Sequence, residues 1–92
     1  MAEVIHDPAT SRYELRLDGE VVGFAEYVLR GDTVVFTHTE IRKEYEGKGL
    51  GGRLVGGALD QVREDGRTVE PRCSFVARYI ELHPEYRDLL AE

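Results

Sequence analysis

The sequence predicts an α/β domain of the α+β kind, with a mixed sheet: an antiparallel three-stranded meander, a helix, a parallel fourth strand and a second helix. Three observations predict it. Strand-like alternation broken by turn dipeptides fills residues 12–41; a glycine-rich loop runs into an amphipathic helix; and a short apolar run ahead of Pro71 gives way to a second helical period.

Met1 to Thr10 carries Val4 and Ile5 but is interrupted by His6-Asp7-Pro8, so it reads either as a short edge strand or as a lead-in. From Arg12 to Asp18, Tyr13, Leu15 and Leu17 alternate with Arg12, Glu14 and Arg16, the pattern of a half-buried strand. Asp18-Gly19 is a hairpin signal, because both residues tolerate positive φ. A second strand follows over Glu20 to Leu29, Gly31-Asp32 turns the chain, and Thr33 to Ile41 is rich in Val, Phe and Thr. Past the first helix, Asp65-Gly66 is a stop signal and Thr68-Val69-Glu70 a short strand parallel to the third. Ser74 is the expected N-cap of a second helix whose Phe75, Val76, Tyr79, Ile80, Leu82 and His83 share one face. Pro84 ends it, and Tyr86, Leu89 and Leu90 in the tail have helical spacing.

The loop is the chemically informative stretch. Six of the ten glycines fall between Gly47 and Gly57, and Leu50, Leu54, Val55, Ala58, Leu59 and Val62 then share one half of a helical wheel. A glycine loop entering a helix presents unpaired N–H groups and the positive end of the helix dipole, a seat for phosphate. A Walker loop is excluded, since Arg42 and Gly49 stand where Gly and Ser or Thr are needed. Gly47, Gly49 and Gly52 do spell the dinucleotide fingerprint, with Glu70 as the ribose acid. That reading requires the first glycine at a strand end in a parallel unit, and the charged run Arg42 to Glu46 intervenes. The third reading is the pyrophosphate loop of an acyl-coenzyme A transferase.

Ninety-two residues make one domain, 1–92, with no room for a separate substrate domain. Hydrophobic residues at 41% and charged residues at 33% are those of an ordinary globular chain. A net charge of -6 argues against a nucleic-acid binder and suits an amine acceptor better. One cysteine excludes an internal disulfide. With neither signal-peptide regions nor an apolar run of membrane-spanning length, the expectation is a cytoplasmic protein with no membrane partner. His6, His38, His83 and Cys73 lack ligand spacing, so no metal is expected.

Phe36-Thr37-His38-Thr39-Glu40-Ile41, the loop from Glu46 to Gly51, Glu70-Pro71-Arg72-Cys73-Ser74-Phe75 and Tyr79-Ile80 through His83-Pro84-Glu85-Tyr86 together resemble the small single-domain members of the GNAT superfamily of acyltransferases. The resemblance covers nearly the whole chain. It implies a GNAT-like fold, acetyl-coenzyme A as co-substrate and an amine as acceptor. The superfamily loop usually reads Arg or Gln, two residues, Gly, one residue, Gly or Ala. Gly49 and Gly51 match its last two places, whereas Glu46 stands where a cation or amide is expected and would repel a pyrophosphate unless it points away. Gly47, Lys48, Gly49, Leu50, Gly51 and Gly52 are then the phosphate cradle. The resemblance further implies strands that diverge near Thr39 to Ile41, freeing backbone groups there for the pantetheine arm.

The catalytic candidates follow from the same reading. Cys73 falls where the fourth strand meets the second helix and matches a cysteine of the small GNAT-like domains. It is open to three roles: acyl carrier, partner of the departing thiolate, or a small buried hydrophobe. Transfer to an amine needs a base, and His38 and Glu40 alternate onto one strand face, expected beside Val34 and Phe36. Tyr79 is the superfamily-like general acid, or alternatively a core aromatic. The resemblance also implies that the chain stops short of the final strand pair that walls the acceptor site. An open site would take a peptide or protein lysine, or be completed by a partner or second copy as in a homodimer. The alternative function is a module that binds coenzyme A or its acyl form and does no chemistry.

Overall fold

The computed structural model describes residues 2–91; Met1 and Glu92, the outer ends of the expected lead-in and tail, lie outside them. Five strands form one sheet in chain order: β1 (Ala2–Asp7), β2 (Arg12–Leu17), β3 (Glu20–Arg30), β4 (Thr33–Ile41) and β5 (Thr68–Pro71). The first four are antiparallel and β5 lies parallel to β4. The segment before Thr10 is therefore a strand, the meander has four strands rather than three, and the parallel strand is the fifth. His6 is held there by stacking on Tyr13 at 4.3 Å between ring centroids and by a 2.6 Å hydrogen bond with the Tyr27 hydroxyl. Pro8 falls past the strand end, where its missing N–H removes no ladder bond. At the β2–β3 hairpin Asp18 and Gly19 have φ of 49° and 87°, as a two-residue type I′ turn requires.

One helix, α1 (Leu50–Glu64), covers one face of the sheet. Leu54, Val55, Ala58, Leu59 and Val62 are buried there with Tyr13, Leu15, Val22, Ala25, Tyr27, Val34 and Phe36. Gly66, at φ 69°, stops the helix while Arg67 donates its N–H back to the Val62 carbonyl. The second helix, α2 (Ser74–Leu82), buries Val76 and Ile80. Its N-cap is Cys73, not Ser74, because Cys73 keeps extended backbone (φ -74°, ψ 125°) while its N–H still donates to the Phe36 carbonyl of β4. Leu82 is 61% exposed, so the buried stripe of α2 is narrower than its apolar pattern suggests. After Pro84 a 3-10 turn (Pro84–Leu89) folds the tail back. Arg63 bonds both carboxylate oxygens of Asp88 and the Glu85 carbonyl, Leu89 is buried, and Ala91 donates to the Val69 carbonyl.

Gly56 and Gly57, costly inside a helix, are explained by what faces them. A Cβ on Gly56 would stand 2.6 Å from the Tyr79 hydroxyl, and one on Gly57 2.5 Å from a Val4 methyl. Gly57 thus brings α1 against β1, and Gly56 brings it against α2. A Cβ on Gly51 would meet the Phe75 ring at 2.8 Å, so this glycine too lets α1 and α2 approach closely.

The feature of the sheet that matters most for the site is a bulge in β4. Tyr27 pairs with Phe36 but the preceding Glu26 pairs with His38, leaving Thr37 as the extra residue. One added residue reverses the side-chain alternation. Val34 and Phe36 face α1, and beyond the bulge Thr39 and Ile41, paired with Ala25 and Gly23, take over that face. His38 and Glu40 are correspondingly sent to the opposite, helix-free face. The expectation that they lie beside Val34 and Phe36 is overturned, since it assumed an unbroken period of two.

Candidate functional site

β4 and β5 part at Phe36 and Pro71, the last pair of their ladder, although β4 runs on to Ile41. The Phe36 carbonyl closes the fork by accepting the N–H groups of Arg72 (3.0 Å) and Cys73 (2.9 Å). On the other side of β4, Arg42 donates to the Val22 carbonyl at 2.8 Å. In an antiparallel ladder bonded and non-bonded pairs alternate, so Glu40 is bonded to β3 while Thr39 and Ile41 turn their N–H and C=O groups toward the side that β5 has left. The fork supplies free backbone donors and acceptors on a strand that is otherwise fully paired.

The loop adds the second wall. A 3-10 turn (Lys43–Tyr45) follows β4, then Gly47 at φ 80° and Gly49 at φ 75° swing the chain into α1. Both angles are left-handed, and nothing crowds either glycine. Gly49 is the N-cap and no side chain caps the helix, so the N–H groups of its first turn, Leu50, Gly51 and Gly52, keep their donors unspent. The intervening 3-10 turn places Gly47 off any strand end. Glu70 is occupied elsewhere, bound by Arg72 at 2.6 Å and by Arg30, which holds its carboxyl below the usual carboxylate range. The dinucleotide reading fails on both counts.

The two walls enclose one groove of about 350 Å³. Thr39, Ile41, Gly47, Gly49, Leu50, Gly51 and Gly52 line it, and of the expected binding positions Lys48 does not; its ammonium lies 5.8 Å above the Tyr45 ring. Tyr45 and Phe75 also line the groove and were not anticipated. Phe75 reads in sequence as a core position of α2, and its contact with Gly51 crosses from one helix to another, which no local pattern reports. Glu46 is on the groove wall and exposed. The surface offers donors at a helix N-terminus at one end, an open strand edge along the side, and apolar walls from Ile41, Leu50 and Phe75.

Cys73 is half-buried at the fork, its sulfur 3.4 Å from the Thr39 hydroxyl. It therefore touches a residue of the groove and sits at the N-terminus of α2. His38 and Glu40 contact each other (Nε2 to Oε1, 3.1 Å) on the far face of β4, both exposed, with the Phe24 ring 6.0 Å from the imidazole. The strand thus separates the groove from the histidine–carboxylate pair. Tyr79 does not line the groove but packs behind it on α1. Its ring lies on Gly52 and its hydroxyl near Gly56, stacked with His83 at 4.0 Å, and burial raises its phenol. Among the described residues no group of three or more His, Cys, Asp and Glu could hold a metal, and no helix is long and apolar enough to cross a membrane.

A meander, a glycine loop entering a helix, and a parallel strand that splays from its neighbour beside that loop define an acetyltransferase-like domain of the GNAT class. The chain belongs to the GCN5-related N-acetyl-transferase family, whose model matches residues 12–89. It is similar to Protein NATD1 of Homo sapiens, 32% identical over 85 residues that span 88% of this chain and 74% of that one. The Gallus gallus Protein NATD1 is 31% identical over 86 residues, 89% of this chain and 76% of its own. A GCN5-like protein from Staphylococcus aureus shares the fold with a TM-score of 0.72 at 19% identity, covering 97% of this chain and 87% of that one. The ribosomal-protein-S18-alanine N-acetyltransferase of Escherichia coli aligns with a TM-score of 0.64 at 19% identity, over 77% of this chain but only 50% of the enzyme.

Proposed function

We propose that this domain binds acetyl-coenzyme A in the groove between the loop and the β4 edge and transfers the acetyl group to an amine. The observation that carries the reading is the convergence of two sets of unspent backbone groups, the first turn of α1 and the outward-facing edge of Thr39 and Ile41, on one groove. Gly47 to Gly52 would take the pyrophosphate, with Lys48 adding charge from the loop's outer side. Thr39 and Ile41 would hydrogen-bond the pantetheine arm, directing the thioester toward Cys73 at the fork.

The bulge supports a division of labour across β4. An amine arriving on the helix-free face would meet His38 and Glu40, which accept its proton directly or through water, and would reach the thioester through the gap where β5 parts from β4. The amine nitrogen then bonds to the thioester carbonyl carbon, the carbon–sulfur bond breaks, and coenzyme A leaves as a thiolate. Cys73 would either relay the nitrogen's second proton to that thiolate, giving free coenzyme A, or carry the acetyl group as its own thioester before the amine attacks. The exposed face beyond β4 suits an acceptor presented by a larger molecule, such as a peptide or protein lysine.

Glu46 favours a second reading, a module that holds coenzyme A without chemistry, because an anion on the groove wall opposes the pyrophosphate. Calorimetric titration with coenzyme A and acetyl-coenzyme A tests the step common to both. Micromolar-range affinity is expected, improved by Glu46→Gln; no heat and no thermal stabilisation near millimolar ligand would remove both readings. Turnover with a lysine peptide separates them. Glu40→Gln or Cys73→Ala is expected to lower it by about 100-fold while preserving affinity, and acetyl-Cys73 in the intact mass would select the covalent route.

A further inference from the structure

We propose that the cavity at the C-terminal end of α1 binds a small zwitterionic α-amino acid with an apolar side chain, at a site separate from the loop groove. This cavity, about 380 Å³, is as large as the groove and lies at the other end of the sheet, where β4 begins at Val34 and α1 gives way to Asp65 and Arg67. Its floor is Tyr13. That side chain is 1% exposed, and its hydroxyl has no hydrogen-bond partner among the described residues. The hydroxyl is not sealed in protein either, since no fully buried side-chain oxygen or nitrogen there lacks a partner. It therefore opens into the cavity, which it lines. Burial raises the phenol to about 12, so it stays a donor at neutral pH. A bound acceptor would take the place of the water that this open hydroxyl reaches.

The rim supplies both charges of the ligand. Arg67 and Asp65 line the same cavity, and neither forms an ion pair within 4 Å with the other or with any described residue. Both act on the Tyr13 phenol, Asp65 raising and Arg67 lowering its pKa, so their fields overlap inside the cavity. A ligand with a carboxylate for Arg67 and Tyr13 and an ammonium for Asp65 satisfies all three. The Tyr27 hydroxyl, already bonded to His6, helps fix the Tyr13 side of the wall. Leu29 and Val34 offer apolar surface to the side chain.

The test is a titration of the full chain with L-valine followed by ¹H–¹⁵N correlation spectra, alongside isobutyrate and isobutylamine, which each keep one charge. L-valine is expected to move the amides of His6, Tyr13, Tyr27, Asp65 and Arg67 and to leave Gly47 to Gly52 in place. Each analogue is expected to bind about tenfold or more weakly, as are Tyr13→Phe and Arg67→Gln toward L-valine. Tyr13→Phe keeps the ring, and the dispersion of its spectrum reports whether it folds; Arg67→Gln tests the same site without touching the core. Unmoved amides at about 20 mM L-valine, affinities unchanged in both variants, or isobutyrate binding as tightly as L-valine would overturn the proposal. Because binding is read without coenzyme A, failure here leaves the acetyl-transfer reading where it stands, and the converse.

Discussion

Single residues in this chain are constrained by what they face across elements. Gly57→Ala gains helix propensity of about 1 kcal/mol but drives a methyl into Val4, a stiff β-branched side chain on a paired strand. A net loss of about 1–3 kcal/mol in urea unfolding is expected, recovered in part by Val4→Ala in the same background. Gly56→Ala meets only the far end of a phenol, so Tyr79→Phe is expected to rescue it, with coupling of about 1 kcal/mol in a double-mutant cycle. Tyr13 sets an alkaline limit. Its phenol is raised from 10 to about 12 by burial first and by Tyr27 and Asp65 next, so the neutral form is favoured in the folded state. The stabilisation is complete below pH 10 and is lost as the pH rises toward 12, by about 2–3 kcal/mol in all. Tyr13→Phe should flatten that alkaline loss in pH-resolved denaturation.

At the scale of elements, the C-terminal turn depends on one guanidinium. Arg63 holds the Asp88 carboxyl below the usual carboxylate range, so the pair adds stability above the ordinary carboxylate pKa and loses it as the pH falls through the lowered value. Arg63→Met is expected to speed amide exchange at Leu90 and Ala91 and to remove that acid dependence locally. The elements were largely legible in the sequence where a local signal existed. Asp18-Gly19, Gly31-Asp32 and Asp65-Gly66 each end an element as their φ values require, and Thr33 to Ile41 was readable to the residue. What escaped has non-local causes. β1 is pinned by His6 on Tyr13 and Tyr27, and the cap of α2 is set by the Phe36 carbonyl, so neither shows in a window of neighbouring residues. The groove's glycine wall was legible because one continuous stretch builds it; Phe75 and the second cavity were not, because their partners come from several strands and helices.

Over the whole molecule, one core joins the elements. Side chains of β2, β3, β4, β5, both α-helices and the tail belong to a single buried cluster, with Val4 of β1 packed against it. Thermal unfolding is therefore expected as one cooperative transition, with calorimetric and van't Hoff enthalpies equal; two resolved transitions would show that the cluster does not hold β1 and the tail with the rest. The Thr37 bulge also decides which side chains the groove receives. A one-residue deletion there would rotate everything from His38 to Ile41 by half a turn of the strand, bringing imidazole and carboxylate to the groove and exporting the threonine and isoleucine. The bulge works as a frame marker: whether that one residue is present decides which of the four side chains line the groove and which face outward, before any of them is substituted.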